Sequence, residues 1–306
     1  MAGWPVSLSK GRARAASGSG IPLIDAFEGM PALGISQLSE EIPLPTFEWC
    51  DIPSGTVSIE SIVYQVRPFR MARYPVTYAQ YQAFIMAPDG YFSERLWEDV
   101  PTAERPAQPG DQRWPLDDHP REHVTWYEAV AFCRWLNHRS GLPIRLPTEQ
   151  EWQRAAQGDD KRNFPWGNTY DDTSRCNTRE RDMRQTSPVG SFPRGLGAFG
   201  VHDMAGNVWE WCLNEYEHSS RIGPRGEKAR VLRGGSWFSL HEVTHTTFRY
   251  FCLPKVRDFD VGFRVVCGEL ANPLRVQPDL LLTASSLTRS FAARFAKRLK
   301  KIIGFS

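Results

Sequence analysis

The spacing of apolar residues changes several times along the chain, and each change marks an element. From Phe47 onward the pattern is β-type: short runs at 57–59 and 62–66, then Phe69-Arg-Met-Ala, with branched and aromatic residues that suit a pleated, half-buried surface. Thr77 then precedes a helical period in which Tyr78, Tyr81, Phe84 and Ile85 share one face. Two capping boxes follow. Thr125-Trp-Tyr-Glu128 opens a helix whose stripe is Ala129, Phe132, Cys133 and Leu136, ending near Ser140-Gly141, and Thr148-Glu-Gln-Glu151 opens a second reaching Ala156. In each box the Thr hydroxyl and Glu carboxylate accept from amides that the first helical turn leaves unpaired. Residues 100–120 are rich in Pro and Asp and read as a long surface loop. From Asn163 to Val266 only short strands and Gly-marked turns remain. The expected class is α+β, with two main helices, short irregular strands and long loops.

The two ends differ from this core. Residues 1–45 are expected to be an unstructured leader followed by a packing arm, because 1–20 are dominated by Gly, Ser, Ala and Arg. The domain proper spans 46–270. Residues 271–306 read as a basic amphipathic C-terminal helix: Leu287, Phe291, Phe295 and Leu299 recur every four positions, and Arg289, Arg294, Lys297, Arg298, Lys300 and Lys301 surround them. Such a helix suits a partner's groove, an anionic membrane surface, or the flank of its own domain.

Composition narrows the partners. Lys and Arg total 37 against 35 Asp and Glu, a net charge of +2, so no global field favours nucleic acid. Eleven Trp and 17 Phe supply large buried rings that can stabilise irregular backbone. The six Cys include no CxxC pair, which fits buried reduced thiols in a cytoplasmic protein. The N-terminal residues lack the apolar run of a secretory signal, and no stretch approaches the ~20 apolar residues of a membrane span.

Eight segments in order resemble the formylglycine-generating-enzyme, or sulfatase-modifying factor, family. They are Tyr74-Pro-Val-Thr77, His123-Val-Thr-Trp126, Arg145-Leu-Pro-Thr-Glu-Gln-Glu-Trp152, Phe164-Pro-Trp-Gly-Asn168, Pro188-Val-Gly190, Gly206-Asn-Val-Trp-Glu-Trp211, Arg233-Gly-Gly-Ser-Trp237 and Gly262-Phe-Arg264. The resemblance implies a C-type-lectin-like domain, a scaffold shared by oxidases, iron enzymes and binding proteins. In the oxidases it implies two copper-binding cysteines after Gly-Gly-Ser; counted from Gly234, those places hold Ser239 and Thr244. Hydroxyls do not stabilise Cu(I) as thiolates do, so no copper and no formylglycine chemistry is expected. The iron-enzyme branch relies on histidines from a second domain, and residues 1–46 and 267–306 contain none.

The resemblance further implies structural calcium. One site would take Asp203 and Glu210 carboxylates with the Gly206 and Val208 carbonyls, and a second would take Asn177 and the Thr178 carbonyl, all hard oxygen donors. In the second, Arg179-Glu-Arg-Asp-Met-Arg184 replaces a glycine-rich stretch. His241-Glu-Val-Thr-His245 matches the H-E-x-x-H of zinc proteases, although its flanks are β-type and a polar loop is the plainer expectation.

Between the framework segments, residues 238–261 resemble the variable-protein branch of the fold, whose members are diversified by retroelements and bind ligands through this stretch. The expected recognition residues are Phe238, Ser239, Leu240, His241, Glu242, Thr244, His245, Phe248, Tyr250, Phe251, Arg257 and Phe259, rings as anchors beside small polar groups. The other possibility is that Phe238, Leu240, Phe248 and Phe251 fill the core. The leading expectation is therefore a non-catalytic module binding a protein or other macromolecular ligand; the competitor is a divergent oxidase or another metal-dependent enzyme using His241, Glu242 and His245.

Overall fold

A computed structural model describes residues 42–170, 174–223 and 225–270, together with the backbone of 274–276. Most of the expected N-terminal arm and residues 277–306 of the expected C-terminal helix lie outside the described residues; within the expected 271–306 helix, Leu274–Val276 instead form a strand, paired with Gln65, Tyr64 and Val63. The first four strands are β1 (Trp49–Ile52), β2 (Gly55–Ile59), β3 (Ile62–Val66) and β4 (Phe69–Ala72). β2 and β3 form a hairpin in which Ile59 faces Ile62. Its tip, Glu60-Ser61, takes φ of 48° and 73°, the left-handed conformation that tight two-residue hairpins require.

Three α-helices carry the apolar stripes: α1 (Tyr78–Met86), α2 (Trp126–Ser140) and α3 (Glu149–Gln157). α1 joins the two main helices anticipated from the capping boxes. Each starts with a complete box: Thr77 with Gln80, Thr125 with Glu128, and Thr148 with Glu151. α2 stops at Gly141, whose φ of 68° is the left-handed cap that glycine adopts without a Cβ clash. Between α2 and α3 lies β5 (Ile144–Arg145). Arg145 holds Glu151 through bonds of 2.7 and 2.8 Å, fixing the entrance to α3.

The remaining strands are β6 (Trp209–Glu215), β7 (Arg230–Arg233), β8 (Tyr250–Cys252), β9 (Val261–Gly262), β10 (Val266–Cys267) and β11 (Leu274–Val276). They complete three small sheets, ordered β1-β4-β10-β5, β11-β3-β2 and β8-β7-β6-β9. The core falls into two clusters. One packs Tyr81 and Phe84 of α1 against Phe132 and Trp135 of α2 and against Phe263. The other surrounds Trp152 of α3 with Met71, Met204, Cys212 and Val231.

Long stretches lack ladder partners, so their carbonyls need other donors. Buried arginines supply them. Arg264 donates to the carbonyls of Ala72, Arg73 and His202 while gripping Glu210 at 2.6 and 2.7 Å. Arg230 serves Leu213, Gly223 and Arg225; Arg154 serves Pro53, Ser54 and Gly158. Trp152 Nε1 also donates to Glu210, at 2.7 Å. Replacing Arg264 with Met removes those donors and strands a buried carboxylate, a loss of about 3–5 kcal/mol. Glu210→Gln keeps an acceptor for Trp152 and is expected to cost less; urea unfolding of both variants measures the order.

Candidate functional site

The candidate site grows out of the turn after β7. Gly234 and Gly235 have φ of 94° and 75°. A Cβ on Gly235 would lie 2.7 Å from Thr244 Cγ2 and 3.6 Å from Ser239 Cβ. Ser239 and Thr244, the two positions counted from Gly234-Gly-Ser236, thus flank the same glycine. Their hydroxyls are engaged internally. Thr244 Oγ1 donates to the His241 carbonyl at 2.8 Å and is fully buried. Ser239 Oγ accepts from the Ser236 amide at 3.1 Å and lies 3.0 Å from Ser236 Oγ. Ser236 Oγ donates in turn to Asp260 Oδ2 at 2.5 Å. Neither hydroxyl matches a soft copper ligand.

Cys252, the nearest later thiol, is pushed up to about 11 by burial and by Asp258, which keeps it protonated and unreactive near neutral pH. All six cysteines are unpaired, and five are buried.

The H-E-x-x-H segment does not form a helix. Residues His241–Val243 make one 3-10 turn, so the two histidines do not share a helix face. His241 stacks on Tyr170 at 4.2 Å and its Nδ1 sits 2.9 Å from Glu180 Oε1. His245 packs edge-on against Phe164 at 4.5 Å, and burial lowers its pKa. Among the described residues, the group of His, Cys, Asp and Glu side chains close enough to share an ion is Glu180, His241 and Glu242, with ligand atoms within 4.8 Å of one another. Glu180 carried no sequence signal as a partner of His241.

The expected recognition residues separate into exposed and committed sets. Phe238, Leu240 and Phe251 are 45%, 40% and 44% exposed, and Leu253, missed in the sequence, is 47% exposed. Glu242 is exposed as well. Phe248 and Tyr250 are half-buried against Trp209, at 6.2 and 5.2 Å. Thr244 is too buried to meet a surface ligand. Arg257 grips Glu128 at 2.6 and 2.9 Å; its charge is spent on the start of α2. Phe259 lies beside Trp237 and Phe238 at 5.6 and 5.7 Å. Trp166 is half-buried and stacks on Phe164 at 5.2 Å.

The calcium donors are equally mixed. Asn177 Oδ1 is buried with no donor facing it, an oxygen that suits a hard cation. The neighbouring Thr178 carbonyl, however, accepts from the Arg181 amide at 3.0 Å. Asp203 accepts from the Gly190 amide at 2.7 Å and is raised to about 6, chiefly by burial. Glu210 is already neutralised by Arg264, so a cation there would rely on Asp203 and on the Gly206 and Val208 carbonyls.

Short sheets, capped helices and a loop-built site define a C-type-lectin-like domain. Residues 52–268 match the sulfatase-modifying factor enzyme 1-like domain, and the chain belongs to that family. It is 32% identical over 237 residues to the hercynine oxygenase of Mycolicibacterium thermoresistibile, covering 66% of this chain and 51% of that protein. The chain therefore spans about half the length of that relative. It is 33% identical over 240 residues to the formylglycine-generating enzyme of Thermomonospora curvata, covering 60% of this chain and 76% of that enzyme. Among solved structures, Treponema denticola variable protein 1 superposes with a TM-score of 0.57 at 23% identity, over 72% of this chain and 95% of that one; that likeness concerns the fold.

Asp260, beneath Ser236, offers a test of how fully this carboxyl is shut away from water. Burial, and then Asp258, raise its pKa to about 7. A carboxyl raised on folding contributes stability below its unfolded value and loses it as pH climbs through the folded one. Relative to Asp260→Asn, the protein should lose up to about 4 kcal/mol between pH 4 and pH 8. Paired denaturation curves across that range measure it; parallel curves would mean that burial does not raise the Asp260 carboxyl.

Proposed function

We propose that this domain is a non-catalytic binding module, displaying the exposed side of residues 238–253 to a protein or other macromolecular ligand. One observation carries the reading: around Gly235, where the oxidases need two sulfurs, Ser239 and Thr244 present hydroxyls bonded back into their own loop. Beside them, Phe238 and Leu240 are exposed, and apolar side chains in that position gain most when a partner covers them. Arg233, donating to the Thr246 carbonyl, and Arg249, gripping Glu149, tie this stretch to the core beforehand, which lowers the ordering cost of association. Structural calcium belongs to the same proposal, with the Asp203 carboxylate as the best donor of the first site and Asn177 Oδ1 as that of the second.

The competing reading is a metal-dependent enzyme of the family, favoured by the Glu180, His241 and Glu242 grouping. Two of its members, Glu180 and His241, are already hydrogen-bonded to each other, so a metal would have to displace that bond.

Incubation with a cysteine-bearing sulfatase peptide, copper and oxygen should yield no aldehyde; aldehyde formation would end the binding-module reading. On an array of glycans and proteins, Phe238→Ala/Leu240→Ala should weaken the strongest interaction at least tenfold without lowering Tm, since both side chains are exposed. Zinc or iron retained stoichiometrically and lost on His241→Ala would instead favour the enzyme. Adding calcium should raise Tm by a few degrees, Asn177→Ala and Asp203→Asn should each reduce the rise, and the double variant should abolish it, as differential scanning fluorimetry will register.

A further inference from the structure

Next to the Gly235 loop, Arg113, Arg179, Asp182, Arg184, Trp237 and Phe238 line a cavity of about 380 Å³, within the range of small-ligand sites, roughly 300–1,000 Å³. Its rim is built from the arginine-rich stretch that replaces a glycine-rich one. Arg179–Arg181 form a 3-10 turn, and Asp182 follows with a φ of 56°. Two bonds stitch this stretch to the loop: the Arg179 amide donates to the Ser239 carbonyl at 2.9 Å, and the His241 amide donates to Glu180 Oε1 at 2.9 Å. The rim therefore moves with the loop that carries Phe238.

The charges on the rim do not cancel. Arg184 is matched by Asp182 at 2.8 Å, and Glu180 is turned to His241. Arg113 and Arg179 pair with no carboxylate among the described residues. Both guanidiniums lie against aromatic rings instead: Arg113 is 5.0 Å from the Trp114 ring centre and 5.5 Å from that of Phe259, and Arg179 is 5.6 Å from that of Phe238. Packing against a ring limits the freedom of a guanidinium while leaving N–H groups to bind an oxyanion, so less entropy is lost on capture.

The apolar wall is as distinctive as the rim. Trp237, Phe238 and Phe259 contact one another at 5.4 to 5.7 Å, with Trp114 5.3 Å from Trp237. Trp237 Nε1 is buried without an acceptor. No internal hydrogen bond pins the indole, so it can adjust to an occupant without losing one.

We propose that this cavity binds a small oxyanion carried on a flat apolar ring, an aryl carboxylate or aryl phosphate, free or displayed by the partner. Arg113 and Arg179 take the oxyanion, and Trp237 and Phe238 cover the ring. The proposal rests on the binding-module reading in treating the Phe238 face as a recognition surface, and it names what that face selects.

The test titrates the full chain with benzoate, phenyl phosphate, benzyl alcohol and inorganic phosphate, read by tryptophan fluorescence and calorimetry. At least one aryl anion should bind saturably, and the stronger of the two identifies the oxyanion. Benzyl alcohol, a ring without charge, and inorganic phosphate, a charge without a ring, should each bind at least tenfold more weakly. Arg113→Gln and Arg179→Gln alter exposed side chains and should each weaken the aryl anion about tenfold, the loss expected for one hydrogen bond to a charged group. Inorganic phosphate binding as well as phenyl phosphate, unchanged affinity in both arginine variants, or no aryl anion bound at millimolar concentration would each overturn the proposal. The two readings fail separately. If Phe238→Ala/Leu240→Ala abolishes macromolecular binding while the aryl anions do not bind, the pocket is refuted and the surface stands. If the aryl anions bind as expected and that double variant leaves macromolecular binding intact, the surface fails and the pocket stands.

Discussion

Buried arginine holds this fold together. A domain with three short sheets and long connecting loops leaves many carbonyls without ladder partners, and a carbonyl shut away from both water and donors is costly. One guanidinium offers five N–H donors in a fixed plane, enough to serve several strands of irregular backbone at once. Arg121, Arg154, Arg230, Arg233 and Arg264 are among the largest fully buried side chains. Four of them also lie over aromatic rings: Arg121 over Tyr81, Arg154 over Phe199, Arg230 over Trp126 and Arg233 over Trp152. The high tryptophan content and the buried arginines are therefore parts of one arrangement, in which rings cover guanidinium faces while the N–H edges tie loops.

The same arrangement explains what could be read along the chain. Helices announce themselves locally: Thr77, Thr125 and Thr148 each cap with a residue three positions on, and all three boxes are complete in the structure. Framework segments such as Arg145-Leu-Pro-Thr-Glu-Gln-Glu-Trp152 and Gly262-Phe-Arg264 mark family and fold because their residues meet here, Trp152 and Arg264 on the carboxylate of Glu210. Hydrophobic periodicity, by contrast, treats Arg264 as a surface residue. Nothing local says that its charge is matched 54 positions away.

The site was legible in part for the same reason. Counting from Gly234-Gly-Ser236 located Ser239 and Thr244 because glycine backbones keep that turn in register. Which side chains of the following stretch face solvent was not legible. Phe238 and Leu240 are exposed, while Phe248 and Tyr250, equally aromatic or apolar in sequence, lean on Trp209. Arg257 shows the limit most sharply. It reads as a surface cation, yet its partner is Glu128, the capping residue of a helix 129 positions earlier. A short motif suffers similarly: H-E-x-x-H has meaning only on a helix, and one 3-10 turn at His241–Val243 removes the common face.

Rigidity and exposure are thus assigned to different residues. The turn at Gly235 admits nothing bulky, since its missing Cβ would already crowd Thr244, and Ser236 is bound to Asp260 beneath it. Side chains pointing away from that turn, at 238, 240 and 242, meet no such limit, because they are exposed and bear little of the fold's stability. The Ser239 and Thr244 hydroxyls beside this turn each take an internal hydrogen bond, which leaves the scaffold satisfied there. A scaffold whose stability resides in buried arginine and tryptophan leaves the exposed side chains of that loop outside its framework. The arginine-rich stretch at 179–184, anchored by the Ser239 carbonyl and the His241 amide, places charge beside the loop that carries the exposed Phe238.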